Sequence, residues 1–410
     1  MTSIASGIYK LLAFKKQSGL GTVAGASGAQ YLRRVASTLS LKKATYQSTE
    51  IKPSQQISDF RHGVRSAEGQ ISGEITVGTY QQFVESVCRK VSVSSISSGA
   101  LTDVTAATTT GNAGTFTTVA ANWMTLGFKV GMVGRWSGWS TTGSTNNTTN
   151  MVITALTATV MTVARLDGLA IGNKAAGDSV TFLEVGKHTY VPQSAQTRDY
   201  YTIEHWYSDI GQSEYFTDCV VTQVDVKLPP TGIATITTTI MGINMTTGSS
   251  QYFTTPNAVT TGRTLAAVNG VMYVAGNAVA LITGLNFSIK GNHSKIGGVV
   301  GANTEPDIFP GKVTVDGQLT VLFIDNVFRD YFVNETEVSI FCVFTTNNTA
   351  TADFMAISMP RCKVGSADKD DGEKGLVQTM SFVALENDQA GGPSNAALAT
   401  TIMIQDSQYV

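Results

Sequence analysis

The chain carries the same short architecture twice. A strand, an extended loop, a glycine turn, a second strand and a short aromatic helix recur with a displacement of 248 residues. Leu41-Lys42 returns as Ile289-Lys290, Gly63 as Gly311, Gly69-Gln70-Ile71 as Gly317-Gln318-Leu319, and Tyr80 as Phe328. Each loop holds an acidic residue and a proline, Glu50-Ile51-Lys52-Pro53 and Glu305-Pro306-Asp307-Ile308. The echo resumes further on at other offsets. Tyr201 to His205 parallels Val338 to Cys342, Phe216 to Val221 parallels Phe354 to Met359, and Ile233 to Met241 parallels Leu376 to Ala384. The offset changes because residues 99–186 intervene in the first half only. Two copies are fewer than the three or so stacked units a solenoid needs, so the pattern reads as a fused pair.

The repeated unit is made of strands. Period-two alternation runs through Gln70 to Val77, Val220 to Leu228, Ile233 to Ile240 and Val313 to Phe323, each bounded by Gly, Pro, Asn or Asp clusters. Helical periodicity is confined to Thr79–Lys90, with Thr79 as its expected cap, and to Val327–Val333. The expected fold is all-β with minor α: two tandem β-sandwich modules, each with one short helix, plus one inserted small β domain. The expected boundaries are 1–98 with 187–252 for the first module, 99–186 for a surface-exposed insert, and 253–410 for the second. The Ser-rich run Ser92–Gly99 and Gly186-Lys187 mark the insert's limits. Met151–Thr154, Val160–Ala164 and Ser179–Glu184 are its candidate strands.

Composition narrows the function. Charged residues are 14% of the chain, against an ordinary ~25% for soluble domains. That suits a surface largely covered by copies of the same chain. No block of Lys or Arg offers a stripe to neutralise phosphates, so tight nucleic-acid binding is not expected. Cys88, Cys219, Cys342 and Cys362 lie far apart and read as buried thiols of a reducing compartment. His62, His188, His205 and His293 are dispersed, with no metal-ligand spacing. Asp368 to Glu373 looks superficially like a calcium loop. Its glycine stands at position five rather than six, and Thr379 occupies position twelve in place of Glu. Trp123, Trp136 and Trp139 suit either a carbohydrate-facing patch or, more commonly, the insert's own core. The Asn-x-Ser/Thr triplets at Asn147, Asn244, Asn286 and Asn334 arise by chance in so threonine-rich a chain. Lys10, Lys15 and Lys16 interrupt the first apolar run, which argues against a secretory signal. No run of 18 apolar residues suggests a membrane span. No catalytic constellation is found, and no metal or cofactor is expected.

Several segments together resemble a family. Thr49 to Gly63 with Gly69 to Glu74 is similar to the N-terminal signature of the tail tube proteins of long non-contractile-tailed bacteriophages. Arg198 to Glu204 with Ser208-Asp209, and Leu228 to Thr235 with Met241-Gly242, are similar to its central signature. Gly317 with Leu319-Thr320-Val321, Met359-Pro360-Arg361 and Lys369 to Gly372 are similar to its C-terminal part. Each motif is short; their order and spacing carry the resemblance, which spans the chain except residues 99–186. Asp218 departs from it where a turn glycine is expected.

The resemblance implies a non-enzymatic virion subunit of the tail tube. Its inner sheets would form a closed barrel around a lumen, with long loops and the N-terminal arm reaching adjacent rings. A tape-measure protein would occupy the lumen during assembly, tail-tip and tail-terminator proteins would contact the ends, and double-stranded DNA would pass without specific binding, with no membrane insertion. Assembly would take place in the host bacterial cytoplasm. Four strands per module and six modules per ring give roughly 24 strands; at about 4.8 Å spacing and about 45° tilt the barrel is roughly 50 Å across, with a bore of about 40 Å. Two modules per chain make a trimeric, pseudo-hexameric ring the simplest solution. The inter-ring contacts are expected from two loops: Glu50, Ile51, Pro53, Gln55, Asp59 and Arg61 in the first, Asn303, Glu305 and Asp307 in the second. The bore is expected to be neutral to acidic. A head-decoration or other virion structural protein is the alternative; a spike or fibre would show acidic pairs on β-helical rungs, which are missing from the sequence.

Overall fold

A computed structural model describes residues 4–409, apart from 141–142, 280, 371–372, 374 and 389–395. The chain is nearly all β, and its sheets are curled, with a half-barrel. One run of antiparallel strands organises it. In spatial order these are Ser40–Gln47, Phe60–Glu74, Thr235–Gly242, Gln212–Leu228, Ile282–Lys290, Thr314–Leu322 and Val377–Ala384. The far edge of the last strand is held by Cys362 to Val364 and by Asp368–Lys369. Successive side chains on a strand point to opposite faces. Ile71, Val224, Ile236, Ile289, Val315 and Leu319 therefore share the buried face. Gln70, Asp225, Thr237, Ser288, Asp316 and Gln318 share the other.

A second layer covers the apolar face. Lys10–Lys16, Tyr201–Tyr207 and the start of the 212–228 strand pair together over the first half. Gly270–Val274, Glu337–Thr345 and Phe354–Val364 do so over the second. The 212–228 strand belongs to both layers and turns between them at Asp218, whose φ of 54° lies in the left-handed region. A glycine is the usual solution there. Asp218 compensates by accepting the Gly21 N–H at 2.7 Å, while its own N–H donates to Gln17 Oε1 at 3.0 Å. The departure from the family pattern thus keeps the turn and gains a tether to the N-terminal arm.

The helices occupy Gln81–Cys88 and Val327–Val333. Thr79 does not cap the first: its hydroxyl accepts from Thr76 Oγ1 at 2.7 Å and from no helix N–H, and Tyr80 stands at the N-cap.

Hydrogen-bond register matches the two halves more closely than sequence does. Leu41 faces Ala67 and Ile289 faces Val315, so both strands keep the displacement of 248. Tyr201 faces Cys219 and Val338 faces Cys362, and each ladder slips by one residue at the next position. Cys219 is thereby the counterpart of Cys362, and Phe216 that of Met359. The sequence pairing of Phe216 with Phe354 is five residues out. The pairing of Ile233 with Leu376 is one residue out, since Thr235–Gly242 matches Val377–Ala384. Alternating strands offer many near-equivalent alignments, and only the ladder selects among them.

Residues 105–184 contribute a separate six-stranded sheet, ordered Thr181–Glu184, Val133–Ser137, Met151–Leu156, Val160–Arg165, Ala113–Thr117 and Thr105–Thr108. Trp123, Trp136 and Trp139 are buried with Phe116, Phe128 and Phe182, so they form a core and not a carbohydrate-facing patch. The sheet docks on the second layer over the second half: Val133, Val152 and Ala164 pack against Phe341, Val343 and Phe354. Gln405 fastens it, accepting the Val133 N–H and donating to the Val133 carbonyl, each at 2.8 Å. Removing Trp136, which is fully buried, should cost about 3–5 kcal/mol through cavity formation. Calorimetry of Trp136→Ala should show a transition at markedly lower temperature than wild type.

Candidate functional site

Among the described residues, chemistry-bearing side chains do not converge. His188 is buried against Glu184 at 2.7 Å, and His205 lies 2.9 Å from Ser37 Oγ. Burial beside Arg89 and Arg198 pushes His293 down to about 4, leaving it neutral at ordinary pH. The four cysteines are free and buried, and burial pushes the Cys88 and Cys362 thiols up to about 12. Buried, protonated thiols are poor nucleophiles. No group of three His, Cys, Asp or Glu among the described residues is placed to hold a metal ion. Asp368 and Lys369 of the calcium-like segment form a strand, while Asp371 and Gly372 lie outside the described residues.

The features that stand out are edges, a loop and a face. At one end of the 40–384 sheet, the 40–47 strand pairs, among the described residues, only with the 60–74 strand. Lys42 through Gln47 are exposed. Lys43 faces Arg65, but the Arg65 N–H goes to the Asn303 carbonyl at 2.9 Å. In an antiparallel ladder such a non-bonded pair points its N–H away from its partner strand. The Lys43 N–H is therefore directed outward. At the other end, residues 364–369 form the opposite edge, since Cys362 and Lys363 also pair with Val338 and Glu337. Between the halves, the same two kinds of edge already meet. Gln223 to Leu228 pair with Lys290 to Leu285, and the Gly291 N–H donates to the Thr222 carbonyl at 2.8 Å.

The two loops singled out by sequence behave differently. Glu50, Ile51, Pro53, Gln55, Asp59 and Arg61 lie on an exposed hairpin, with Ile51 98% exposed. Within it, Arg61 pairs with Asp59 at 2.8 Å and Ser58 donates to Glu50 at 3.1 Å. Asn303, Glu305 and Asp307 are engaged inside their own chain. Glu305 accepts the Gly297 N–H, and Asp307 binds Arg198 and the Tyr200 hydroxyl, both at 2.9 Å. Hydrogen bonds to Arg198, Ile308 N–H and Tyr200 hold the Asp307 carboxyl below its usual range against the opposing effect of burial. Both loops lie at the same rim, since Gly298 packs on Val64 and Tyr46 on Gly63.

The polar face of the 40–384 sheet carries acids and bases in mixture: Glu68, Asp225 and Asp316 with Lys227 and Lys290, the last paired to Asp316 at 2.7 Å. Gln70 and its counterpart Gln318 are exposed on it. Sequence reasoning did not assign this face. The signal was present in the alternation, but parity alone does not say which side of a strand the second layer covers.

No curated protein matches the chain. The sequence profile of one family, described as phage tail tube protein, matches residues 10–384, which takes in both halves of the repeat and the sheet between them. The chain belongs to the phage tail tube protein family, whose members are structural components of the virion tail.

Proposed function

We propose that copies of this chain close into a ring whose inner wall is the polar face of the 40–384 sheet, and that stacked rings form the channel for genome delivery. The observation that carries this reading is the internal joint. A first-half edge pairs with a second-half edge inside the chain, and one unpaired edge of each kind is left at the two ends. Unpaired edges expose N–H and C=O groups that a second copy satisfies. Head-to-tail repetition of that contact closes when the curl suits it. Eight strands per copy and three copies give the roughly 24 strands that enclose a bore of about 40 Å.

On this reading the modules are residues 1–98 with 187–252 and residues 253–410. The 99–186 insert, docked on the layer opposite the polar face, lies on the outside of the tube. The rim bearing the two loops is where rings stack. A tape-measure protein fills the bore during assembly, the tail-tip and terminator proteins meet the last rings, and the DNA passes without specific contacts. Assembly takes place in the host cytoplasm. The role is mechanical and requires no catalysis. Deleting residues 52–60 removes much of the exposed rim, and negative-stain microscopy should then show soluble subunits in place of tubes. Tubes of normal length from that deletion would refute the assignment of the rim.

A further inference from the structure

We propose that neighbouring copies join in the register of the internal joint, Ser366 against Lys42, Ala367 against Leu41 and Asp368 against Ser40, and that the Glu50–Arg61 hairpin seats Asp59-Phe60-Arg61 on the neighbour's second half. The inference rests on the reading of the open edges as a ring contact and names its partner surface residue by residue.

The register follows from the ladders. The displacement of 248 carries Lys290, Ile289 and Ser288 onto Lys42, Leu41 and Ser40. Asp225 faces Thr237 and Asp368 faces Thr379, and Thr237 is the counterpart of Thr379. Asp368 is therefore the counterpart of Asp225. At the internal joint Asp225 faces Ser288 and accepts its hydroxyl hydrogen bond. The open edges carry the same pair, an aspartate at 368 and a serine at 40. Asp368 is exposed in the single chain. A residue pair that recurs at both ends of an unmade contact is what a repeated joint requires.

The loops supply a second, separate argument. Residues 43–65 and 291–313 are loops of equal length between strands in identical register. The second closes as an antiparallel pair at the same positions as the first, Ser294 facing Phe309 and Lys295 facing Ile308 where Tyr46 faces Arg61 and Gln47 faces Phe60. It crosses onto the first half, where Lys295 binds Glu68 at 2.6 Å, Asp307 binds Arg198, and Ile308, 1% exposed, packs with Tyr200 and Val220. The first loop has no half to cross onto within its own chain, and its strands pair out to Gln47 and Phe60. The displacement makes Asp59-Phe60 the counterpart of Asp307-Ile308. The counterparts of Arg198, Tyr200 and Val220 are Glu335, Glu337 and Lys363. That surface is acidic and basic where the first was basic and apolar. The strap compensates: Arg61, which pairs with Asp59 at 2.8 Å, stands where Phe309 lies beside Arg198, so it meets Glu335. Phe60, 48% exposed, meets Val383, 47% exposed. The hairpin tip stays free to face the next ring, as Val299 and Val300 do in the seated loop.

The helices agree. Arg89, closing the first helix, donates to the Gly291 carbonyl at 2.8 Å and so spans the internal joint. The 327–333 helix buries no residue and leaves Val327, Phe332 and Val333 exposed beside the joint that is still open.

The native cysteines are buried, so introduced pairs can be read against a silent background. Asp368→Cys with Ser40→Cys, oxidised in assembled tubes and run on non-reducing gels, should give a ladder that ends at the ring's copy number. Asp368→Cys with Lys42→Cys, two residues out of register, should give at least ten-fold less. If the first pair impairs assembly, Ser366→Cys with Lys42→Cys reports the same register. Separately, Arg61→Glu should raise the concentration needed for assembly at least ten-fold, and adding Glu335→Arg should restore it. Tubes that cross-link better in the shifted pair would overturn the register while leaving the ring intact. Arg61→Glu tubes assembling like wild type would overturn the strap. A wild-type chain that forms no rings would instead overturn the proposed function.

Discussion

Lys43→Pro should leave a folded chain that no longer forms tubes. The residue is exposed, and its N–H is directed away from its own sheet. Proline is tolerated on an edge strand when the N–H it lacks faces outward. Stability of the single chain should therefore change by no more than about 0.5 kcal/mol, as for other exposed positions. Assembly is another matter. At the internal joint the equivalent N–H, that of Gly291, bonds to the Thr222 carbonyl. Thr222 corresponds to Gly365: the Thr222 hydroxyl donates to the Thr239 carbonyl, and the Gly365 N–H donates to the carbonyl of the equivalent Ser381. Without the Lys43 N–H, the Gly365 carbonyl of the neighbour is buried without a partner. Such an orphan costs roughly 1–3 kcal/mol, or about ten- to a hundred-fold in the association constant of every joint. A ring must make all of its joints at once, so the loss compounds. Sedimentation velocity should show monomers at concentrations where wild type pellets as tubes, with an unchanged melting temperature. Lys43→Ala, which keeps the N–H, should assemble like wild type.

Much of this joint was legible before any coordinates. The displacement of 248 rests on glycines and aromatics that the backbone requires: Gly69 would meet the Leu39 backbone at 2.4 Å with a Cβ, and Gly317 the Asn286 carbonyl at the same distance. Close packing of this kind leaves a mark in the sequence that survives when the surrounding residues drift. The later strands carry no such mark. Phe216 to Val221 and Phe354 to Met359 both open on a phenylalanine and are mostly apolar, and that shared pattern does not separate a match from a slip of five. The cysteines would have corrected it, because Cys219 and Cys362 are both fully buried at the same place, but two lone cysteines are a thin signal without a ladder. Three-dimensional placement was hidden altogether. That Asp307 folds back onto Arg198 while Asp59 stays exposed depends on which half lies alongside, and no local pattern encodes that.

The polar face gives the other large expectation, because a small change is repeated around and along the whole tube. Gln70 and Gln318 are exposed at equivalent positions on that face, among Glu68, Asp225 and Asp316. Replacing both with lysine adds two positive charges per copy without touching the core side of either strand. If the face lines the channel, DNA inside meets a ring of new cations at every level. Each phosphate neutralised releases condensed counterions, so log K should fall with log salt by about 0.9 per contact. With only 6–10 contacts engaged, affinity should change about 10³–10⁵-fold between 50 and 200 mM salt. Gln70→Lys with Gln318→Lys tubes should therefore hold duplex DNA at low salt and release it at high salt, whereas wild-type tubes hold none at either. Virions carrying the double substitution should eject their genomes slowly. The same lysines at Val119 and Leu169, exposed positions of the 99–186 insert, should leave ejection unchanged, because that sheet is docked on the opposite layer. Ejection that is indifferent to charge at Gln70 and Gln318 would mean that the sheet turns its polar face away from the genome.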